Sequence, residues 1–199
     1  MRAITCTGYG PPTDVLRAGD VDEPTPAEDE VLVAVRAAAL RFADWRLIRG
    51  MPYLARLEVG LRRPPFEVPG SDFAGVVEAV GSAVSTIRPG DEVFGTTFMA
   101  GFGALAERVA VAERHVAVRP GNTTFEESAA VPLAASTALQ ALRDHGGVRH
   151  PRLTHEQIRR ERPRQRDLLH LFESVHGRHV VVHPRFETLD GPYQQADLQ

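Results

Sequence analysis

The stretch that decides the fold is residues 64–95, PPFEVPGSDFAGVVEAVGSAVSTIRPGDEVFG. Residues 73–80 carry the apolar and β-branched side chains typical of a strand, and the Gly-Ser pair at 81–82 predicts a turn after them. The Pro-Gly pair at 89–90 predicts a second turn, after which residues 92–94 resume as strand. This part of the chain is therefore expected to form short strands joined by tight turns.

The same pattern continues on both sides of this stretch. Strand-like runs occupy residues 2–7 and 31–36, and two more short strands are expected within 104–118. Residues 42–49 have the length and composition of a short helix that stops at Gly50. Many short strands separated by Gly and Pro predict a mainly β fold with flanking helices, in which a barrel-like unit extends to about residue 120.

Beyond the barrel-like unit the pattern becomes helical. Thr124 and Glu127 have capping-box spacing, so that each side chain can bond the backbone N–H of the other. The helix that they open is expected to end near Val131, before Pro132. A second helix is predicted over 133–145, with an apolar stripe along one side.

Composition limits the class of protein. With 199 residues, 43% of them apolar, the chain can bury a sizeable core. A net charge of −3 gives no electrostatic bias toward nucleic acid or membranes. No apolar run reaches the length of a membrane span, and the N-terminus lacks the apolar stretch of a secretory signal. We expect a cytoplasmic protein that binds neither nucleic acid nor membranes.

The C-terminal region, residues 149–199, is rich in Arg and His and offers two alternative functions. His179 and His183 would share one face of a strand, HVVVH, which together with His176 could suggest a metal site. The alternative, that these histidines occur by chance in a His-rich tail, is favoured. The arginines could suggest nucleic-acid binding, but nine arginines face seven acidic residues and no aromatic platform accompanies them.

Residues 1–148 resemble the medium-chain dehydrogenase/reductase superfamily, specifically its zinc-free, quinone oxidoreductase-like branch. The resemblance rests on several separated motifs in the family's order and spacing. These are YGPP at 9–12, EVLV at 30–33, ADW at 43–45, VPGSDFAG at 68–75, RPGDEVFG at 88–95, GALAE at 103–107, AVPL at 130–133 and TAL at 137–139. The resemblance implies a GroES-like barrel.

The residues also bear on zinc. Zinc-dependent relatives have a Cys where this chain has Arg41 and a His where it has Ser71, and their structural zinc needs four cysteines, whereas Cys6 is the only one here. We expect neither zinc site. Without zinc to polarise a carbonyl, hydride transfer is easiest to an acceptor that conjugation already makes electron-poor. The resemblance therefore implies a quinone or enone substrate and NADPH as the hydride donor.

The resemblance also implies the site residues. The loop that carries Arg41, Asp44 and Trp45 would line the cleft where nicotinamide and substrate meet. We expect Asp44 and Trp45 to be catalytic, and Arg41 and Thr137 to contact the cofactor. Asp44 and Trp45 would equally suit a helix packed on a barrel, and Thr137 could instead bond the carbonyl four residues before it. An arginine at position 41 cannot accept hydrogen bonds, unlike the asparagine usual in the family.

A dinucleotide normally binds on a strand, a Gly-rich turn and a helix, and no such glycine pattern occurs after residue 103. We therefore divide the chain into a GroES-like alcohol dehydrogenase-type domain of residues 1–124, a helical connector of residues 125–147 and a divergent tail of residues 148–199 without a Rossmann domain. A change of reading frame or an early end near Val148 would explain this arrangement, as would a genuine short protein.

Two functions remain open at this point. The first is an NAD(P)H-dependent quinone or enone reductase that is incomplete, and inactive alone, because its cofactor-binding domain is absent. The second is a non-catalytic GroES-like module or truncated relic that binds a protein partner. Loss of a partner domain would leave the 133–145 stripe exposed, so that a homo-oligomer is possible.

Overall fold

The structure is a computed structural model that describes residues 1–98, 100–141 and 180–182. Strand β1 (Arg2–Cys6) pairs antiparallel with β2 (Leu16–Asp20), and the one-turn helix α1 (Pro12–Val15) joins them. The sequence predicts β1 but not β2. The β2 residues, LRAGD, show no alternating apolar face because the strand is largely exposed.

Strand β3 (Glu30–Leu40) is central to the second sheet. One of its edges pairs antiparallel with β4 (Asp72–Val80), and the first half of the other edge pairs with β6 (Arg108–Ala112). The strand runs past the predicted end at residue 36 because three consecutive alanines, residues 37–39, are buried there. Alanine has little intrinsic strand preference, so that tertiary packing decides this part of β3.

The remaining strands complete this sheet. Strand β5 (Glu92–Thr96) pairs with β4, β7 (Val116–Val118) pairs with β5, and the order is β6-β3-β4-β5-β7. Strand β8 (Val180–Val182) pairs with the last residues of β3. The strand predicted at HVVVH is therefore confirmed, whereas the three histidines of the predicted metal alternative lie outside the described residues. Among the described residues, an isolated bridge joins Ala3 of β1 to Ala106, two residues before β6.

The helices follow the local sequence signals closely. Helix α2 (Phe42–Arg49) ends at Gly50, whose left-handed backbone (φ 63°) is the predicted stop. A 3₁₀ turn (Tyr53–Ala55) and the one-turn helix α3 (Arg56–Val59) follow, and neither is predicted. None of the helices in the described part of the chain is long and apolar enough to cross a membrane.

Two further helices follow the barrel strands. Helix α4 (Phe125–Ala129) opens with the predicted capping box, in which Glu127 N–H donates to Thr124 Oγ1 (3.2 Å) and Thr124 N–H donates to Glu127 Oε2 (2.9 Å). Helix α5 (Pro132–Gln140) starts at Pro132, which suits the first helical turn because its missing N–H has no intrahelical partner there. The predicted end of this helix, near residue 145, lies outside the described residues.

The core consists of three clusters of buried side chains, which hold the elements around the candidate site in place. The main cluster contains Phe73 and the buried valines of the second sheet. A second cluster, which includes Cys6, Ile48 and Phe66, packs α2 beside the β1–β2 pair. In the third, Ala129 of α4 packs on small side chains of β3 and β4. The predicted mainly β architecture with flanking helices is thus confirmed.

Candidate functional site: a buried polar centre

The C-terminal end of β3 and the start of β4 are adjacent in the sheet, and this brings together residues about thirty positions apart. We call Arg41, Asp44, Ser71 and Asp72 the polar centre. Nη2 of Arg41 donates to Ser71 Oγ (2.9 Å) and lies 2.8 Å from Asp72 Oδ1. The Arg41 side chain is only 8% exposed and that of Asp72 is fully buried. One guanidinium therefore neutralises charge inside the domain.

Asp44 ties helix α2 to this centre. It is the third residue of α2 and is 1% exposed. Its Oδ2 accepts the backbone N–H of Arg41 (3.0 Å), and its Oδ1 accepts the Ser71 hydroxyl (3.0 Å). The first contact caps the helix N-terminus, where a carboxylate also suits the helix dipole. As placed, Asp44 orients the loop before α2, and its predicted catalytic role stays a prediction.

Burial dominates the ionisation of both carboxyl groups. It raises the pKa of Asp72 to about 6, against the lowering effects of the Thr96 hydroxyl, Arg41 and the Leu133 N–H, while the Asp44 charge raises it further. Burial also raises the pKa of Asp44, although hydrogen bonds from the Arg41 backbone and Ser71 oppose it. These two acids share one cation, and Arg41 Nε has no hydrogen-bond partner among the described residues.

Trp45 lies outside the polar centre, on the exposed face of α2. Its side chain is 39% exposed, and its ring stacks on Phe42 with centroids 5.4 Å apart and planes 20° from parallel. The Arg49 guanidinium lies over the Trp45 ring at 5.1 Å, and that of Arg46 lies over Phe42 at 5.8 Å. The two rings form a half-exposed aromatic wall flanked by positive charge.

Helix α5 is attached to the polar centre by its first turn. The backbone N–H of Leu133 donates to Asp72 Oδ2 (3.3 Å), so that Asp72 bridges Arg41 and the α5 N-terminus. Thr137 lies one turn further along and is exposed. The alternative predicted for Thr137, a bond to the carbonyl four residues before, is formed by its neighbour Ser136, which donates to Pro132 O (2.6 Å).

The structure thus brings two of the four predicted site residues, Arg41 and Asp44, into one network. Trp45 and Thr137 are exposed on two different helices. From the sequence, Ser71 is notable only because it replaces a zinc ligand, and Asp72 has no predicted role. The sequence does contain a signal for Ser71 and Asp72. The Ser-Asp pair directly precedes the apolar run FAGVV, and a charged residue beside such a run is rarely buried without a partner.

A family model for the alcohol dehydrogenase GroES-like domain matches residues 27–121, the stretch that contains the polar centre and the central sheet. Residues 27–121 are a GroES-like domain of the medium-chain dehydrogenase/reductase superfamily. The GroES-like domain and the superfamily that the motifs predict are therefore confirmed, and the polar centre belongs to that domain.

Several relatives of this chain carry the names of oxidoreductases. A chloroplastic quinone-oxidoreductase homolog of Spinacia oleracea is 38% identical over 149 residues, which is 75% of this chain and 44% of the relative. The 2-methylene-furan-3-one reductase of Solanum lycopersicum is 40% identical over 153 residues, which is 73% of this chain and 38% of the relative.

Solved structures agree with these relatives. The quinone oxidoreductase from Coxiella burnetii superimposes with a TM-score of 0.64 at 32% identity, over 72% of this chain and 44% of that one. The Escherichia coli quinone oxidoreductase complexed with NADPH gives 0.61 at 28% identity, over 73% and 41%. The chain spans less than half the length of these relatives.

Proposed function

We propose that this chain is the GroES-like part of an NAD(P)H-dependent reductase that acts on quinones or enones without zinc. The observation that carries the proposal is the match, over three quarters of the chain, to relatives named quinone oxidoreductase and 2-methylene-furan-3-one reductase. Both names describe acceptors whose carbonyl is conjugated.

The chemistry of the polar centre supports a reaction without zinc. Of its side chains, the Arg41 guanidinium has no lone pair to give to a metal, and it already places one positive charge 2.8 Å from Asp72. Zinc sites in proteins use Cys and His with occasional carboxylates, whereas the centre offers Ser71 and two aspartates. A second cation beside Arg41 would also be repelled.

Some residues of the site position others, and some are available to contact the substrate or the cofactor. NADPH, when bound, would supply the hydride. Asp44 and Arg41 fix the loop before α2, and this holds the Phe42–Trp45 aromatic wall in place. A planar conjugated ring can stack on such a wall, which also excludes water from one of its faces. Thr137 is accessible for a cofactor contact, whereas the buried guanidinium of Arg41 acts by positioning.

The test is a thermal-shift titration of the purified chain with NADPH. A ligand at ~100 times its Kd adds roughly 2.7 kcal/mol to the free energy of unfolding, so that a saturable rise in Tm would show that residues outside a Gly-rich nucleotide fold contribute to NADPH binding. The Thr137→Val variant should need more NADPH for the same shift, while Ser136→Ala, its neighbour, should not. A folded sample whose Tm is unchanged by NADPH would contradict a cofactor site in these residues.

A second candidate is a non-catalytic module that binds a protein partner. It is favoured by exposed apolar side chains at α5, where Val131 and Leu139 both face solvent. Light scattering distinguishes the two candidates. Self-association that Leu139→Ser abolishes, together with no response to NADPH, would support the module, whereas a monodisperse monomer that binds NADPH would contradict it.

A further inference from the structure

The aromatic wall is part of a larger surface that concentrates exposed apolar and basic side chains. We call residues 42–63 the basic apolar surface. Most of the large exposed apolar side chains in the described part of the chain lie in it, with Leu54 78% and Leu57 72% exposed. The other members are Phe42, Trp45, Met51, Tyr53 and Leu61. Contiguous exposed apolar side chains of this kind usually mark a binding surface.

The charge of the same segment is strongly positive. Residues 42–63 hold five arginines, one glutamate and the buried Asp44, a net charge of +3 in a chain whose total is −3. The ion pairs in the described part of the chain involve none of these arginines. Arg62 and Arg63 are exposed. A partner that covers this surface must therefore be anionic as well as tolerant of apolar side chains.

Contacts between arginines and rings link the part of the surface from Phe42 to Arg56. Arg56 donates to the carbonyls of Gly50 (3.0 Å) and Arg49 (3.1 Å), so that the segment after α2 folds back on the end of that helix. Its guanidinium also lies 4.8 Å from the Tyr53 ring centroid. Arg49 and Trp45 stack in the same way. Guanidinium groups are thus held beside aromatic rings at the protein surface.

This combination matches the headgroup level of an anionic bilayer. Trp and Tyr favour the membrane interface, Arg places its charge among lipid phosphates while its stem covers apolar surface, and leucines reach the acyl boundary. Exposed leucines at this density do not suit nucleic acid, whose binding sites use aromatic platforms and a charged groove. We propose that the basic apolar surface binds the anionic face of a lipid bilayer.

This inference reverses the expectation of no membrane binding. That expectation used the net charge of the whole chain, whereas attraction to a charged surface falls off within about a Debye length and is set by local charge. It does not rest on the proposed function, since adsorption to a bilayer needs neither NADPH nor a substrate.

The test is flotation of the full chain with vesicles of pure phosphatidylcholine or of phosphatidylcholine with about 30 mol% phosphatidylglycerol. Binding to the anionic vesicles should be at least about tenfold stronger and should weaken at high salt. The emission of Trp45, the only tryptophan, should shift to the blue on binding, because this residue lies in the proposed contact. A chain that adsorbs through another surface would not show that shift.

Variants of exposed residues assign the binding to this surface. Arg62→Glu/Arg63→Glu should weaken binding to the anionic vesicles by at least about tenfold, since each arginine near such a surface contributes strongly. Leu54→Ser/Leu57→Ser should weaken it too. Matched controls are Arg36→Glu/Arg88→Glu and Val118→Ser, which change exposed residues elsewhere and should leave binding unchanged.

Three results would overturn the proposal. The first is no flotation of the folded chain with anionic vesicles, and the second is equal binding to both kinds of vesicle. The third is that the surface variants and their controls behave alike. If the Leu54→Ser/Leu57→Ser variant instead abolishes self-association, measured by sedimentation velocity, in a chain that does not float, the surface joins copies of the chain and the lipid assignment is wrong.

Discussion

At the polar centre, one guanidinium lies between two carboxyl groups that the fold removes from water. Asp44 and Asp72 are both buried, and Arg41 contacts Asp72 directly and Asp44 through Ser71. Charges in the interior cost much free energy unless they are paired and hydrogen-bonded. The stability of the site therefore depends on this one arginine.

Replacing Arg41 by methionine tests that dependence. Arg41→Met leaves two buried carboxyl groups without a cation, and we expect the free energy of unfolding at neutral pH to fall by about 3 kcal/mol or more. At about pH 5 the loss should be smaller, because protonated carboxyl groups need no cation. Urea unfolding at both pH values is the measurement. The control is Arg36→Met, an exposed change expected to cost less than about 0.5 kcal/mol, and equal stability of the two variants would contradict the account.

The raised pKa of Asp72, about 6, predicts a pH dependence of stability. The folded protein holds this proton more tightly than the unfolded chain does, whose aspartates titrate near 3.9. The contribution of Asp72 to stability is therefore complete below about pH 4 and is lost as the pH rises through about 6, by roughly 3 kcal/mol in all.

Comparison with Asp72→Asn isolates this contribution. The difference in unfolding free energy, wild type minus Asp72→Asn, should fall between about pH 4 and pH 7 and be level above that range. Urea unfolding at one-unit pH steps measures it. A difference that rises with pH, as for a carboxyl group with a lowered pKa, would show that the site stabilises the charged form of Asp72.

Sequence reasoning reaches some of this site and misses the rest for a physical reason. Arg41 and Asp44 are predicted as site residues because the family resemblance places their segment in the cleft. The partnership of Arg41 with Ser71 and Asp72 depends on which strands are neighbours, and pattern along the chain does not carry that information. Exposure to solvent cannot be predicted from the local sequence either. Asp44 and Trp45 are adjacent in sequence, but only Trp45 faces solvent.

At the scale of elements, local signals predict most of the helices and strands. Gly50 as the stop of α2 and the capping box of α4 are both confirmed, since each depends on residues within one turn. The missed elements include α1, β2 and α3, each only four or five residues long and therefore too short to show a clear apolar pattern. Their positions are set by what they pack against rather than by propensity.

Close pairing of β3 with β4 gives a prediction at this scale. A Cβ on Gly75 would lie 2.1 Å from the Ala34 carbonyl oxygen, which belongs to backbone and cannot move aside cheaply. Gly75→Ala should therefore lower the free energy of unfolding by about 3 kcal/mol, as overpacked cores do. The control is Gly19→Ala in β2, where a Cβ meets nothing within 4 Å and stability should be unchanged or slightly higher. Thermal unfolding of the two variants measures the contrast, and similar Tm values would contradict the assigned strand pairing.

At the scale of the whole molecule, one surface serves both proposed roles and lies beside the buried polar centre. The aromatic wall of Phe42 and Trp45 is flanked by arginines and forms the first part of the basic apolar surface. Binding of a lipid-soluble acceptor and contact with a bilayer would be compatible on the same side of the domain, because quinones with apolar tails partition into membranes. The net charge of the whole chain does not reveal that basic and exposed apolar side chains share one surface, whereas the structure does.

The most direct test of the central claim, that this domain carries the substrate side of a quinone or enone reductase, uses the fluorescence of its single tryptophan. Titration with a short-chain ubiquinone analogue should quench Trp45 saturably, because the quinone stacks on the aromatic wall. The Phe42→Ala variant, which removes the stacking partner, should bind the quinone severalfold more weakly. Quenching that stays linear in quinone concentration and is the same in both proteins is collisional, and that result would contradict the account.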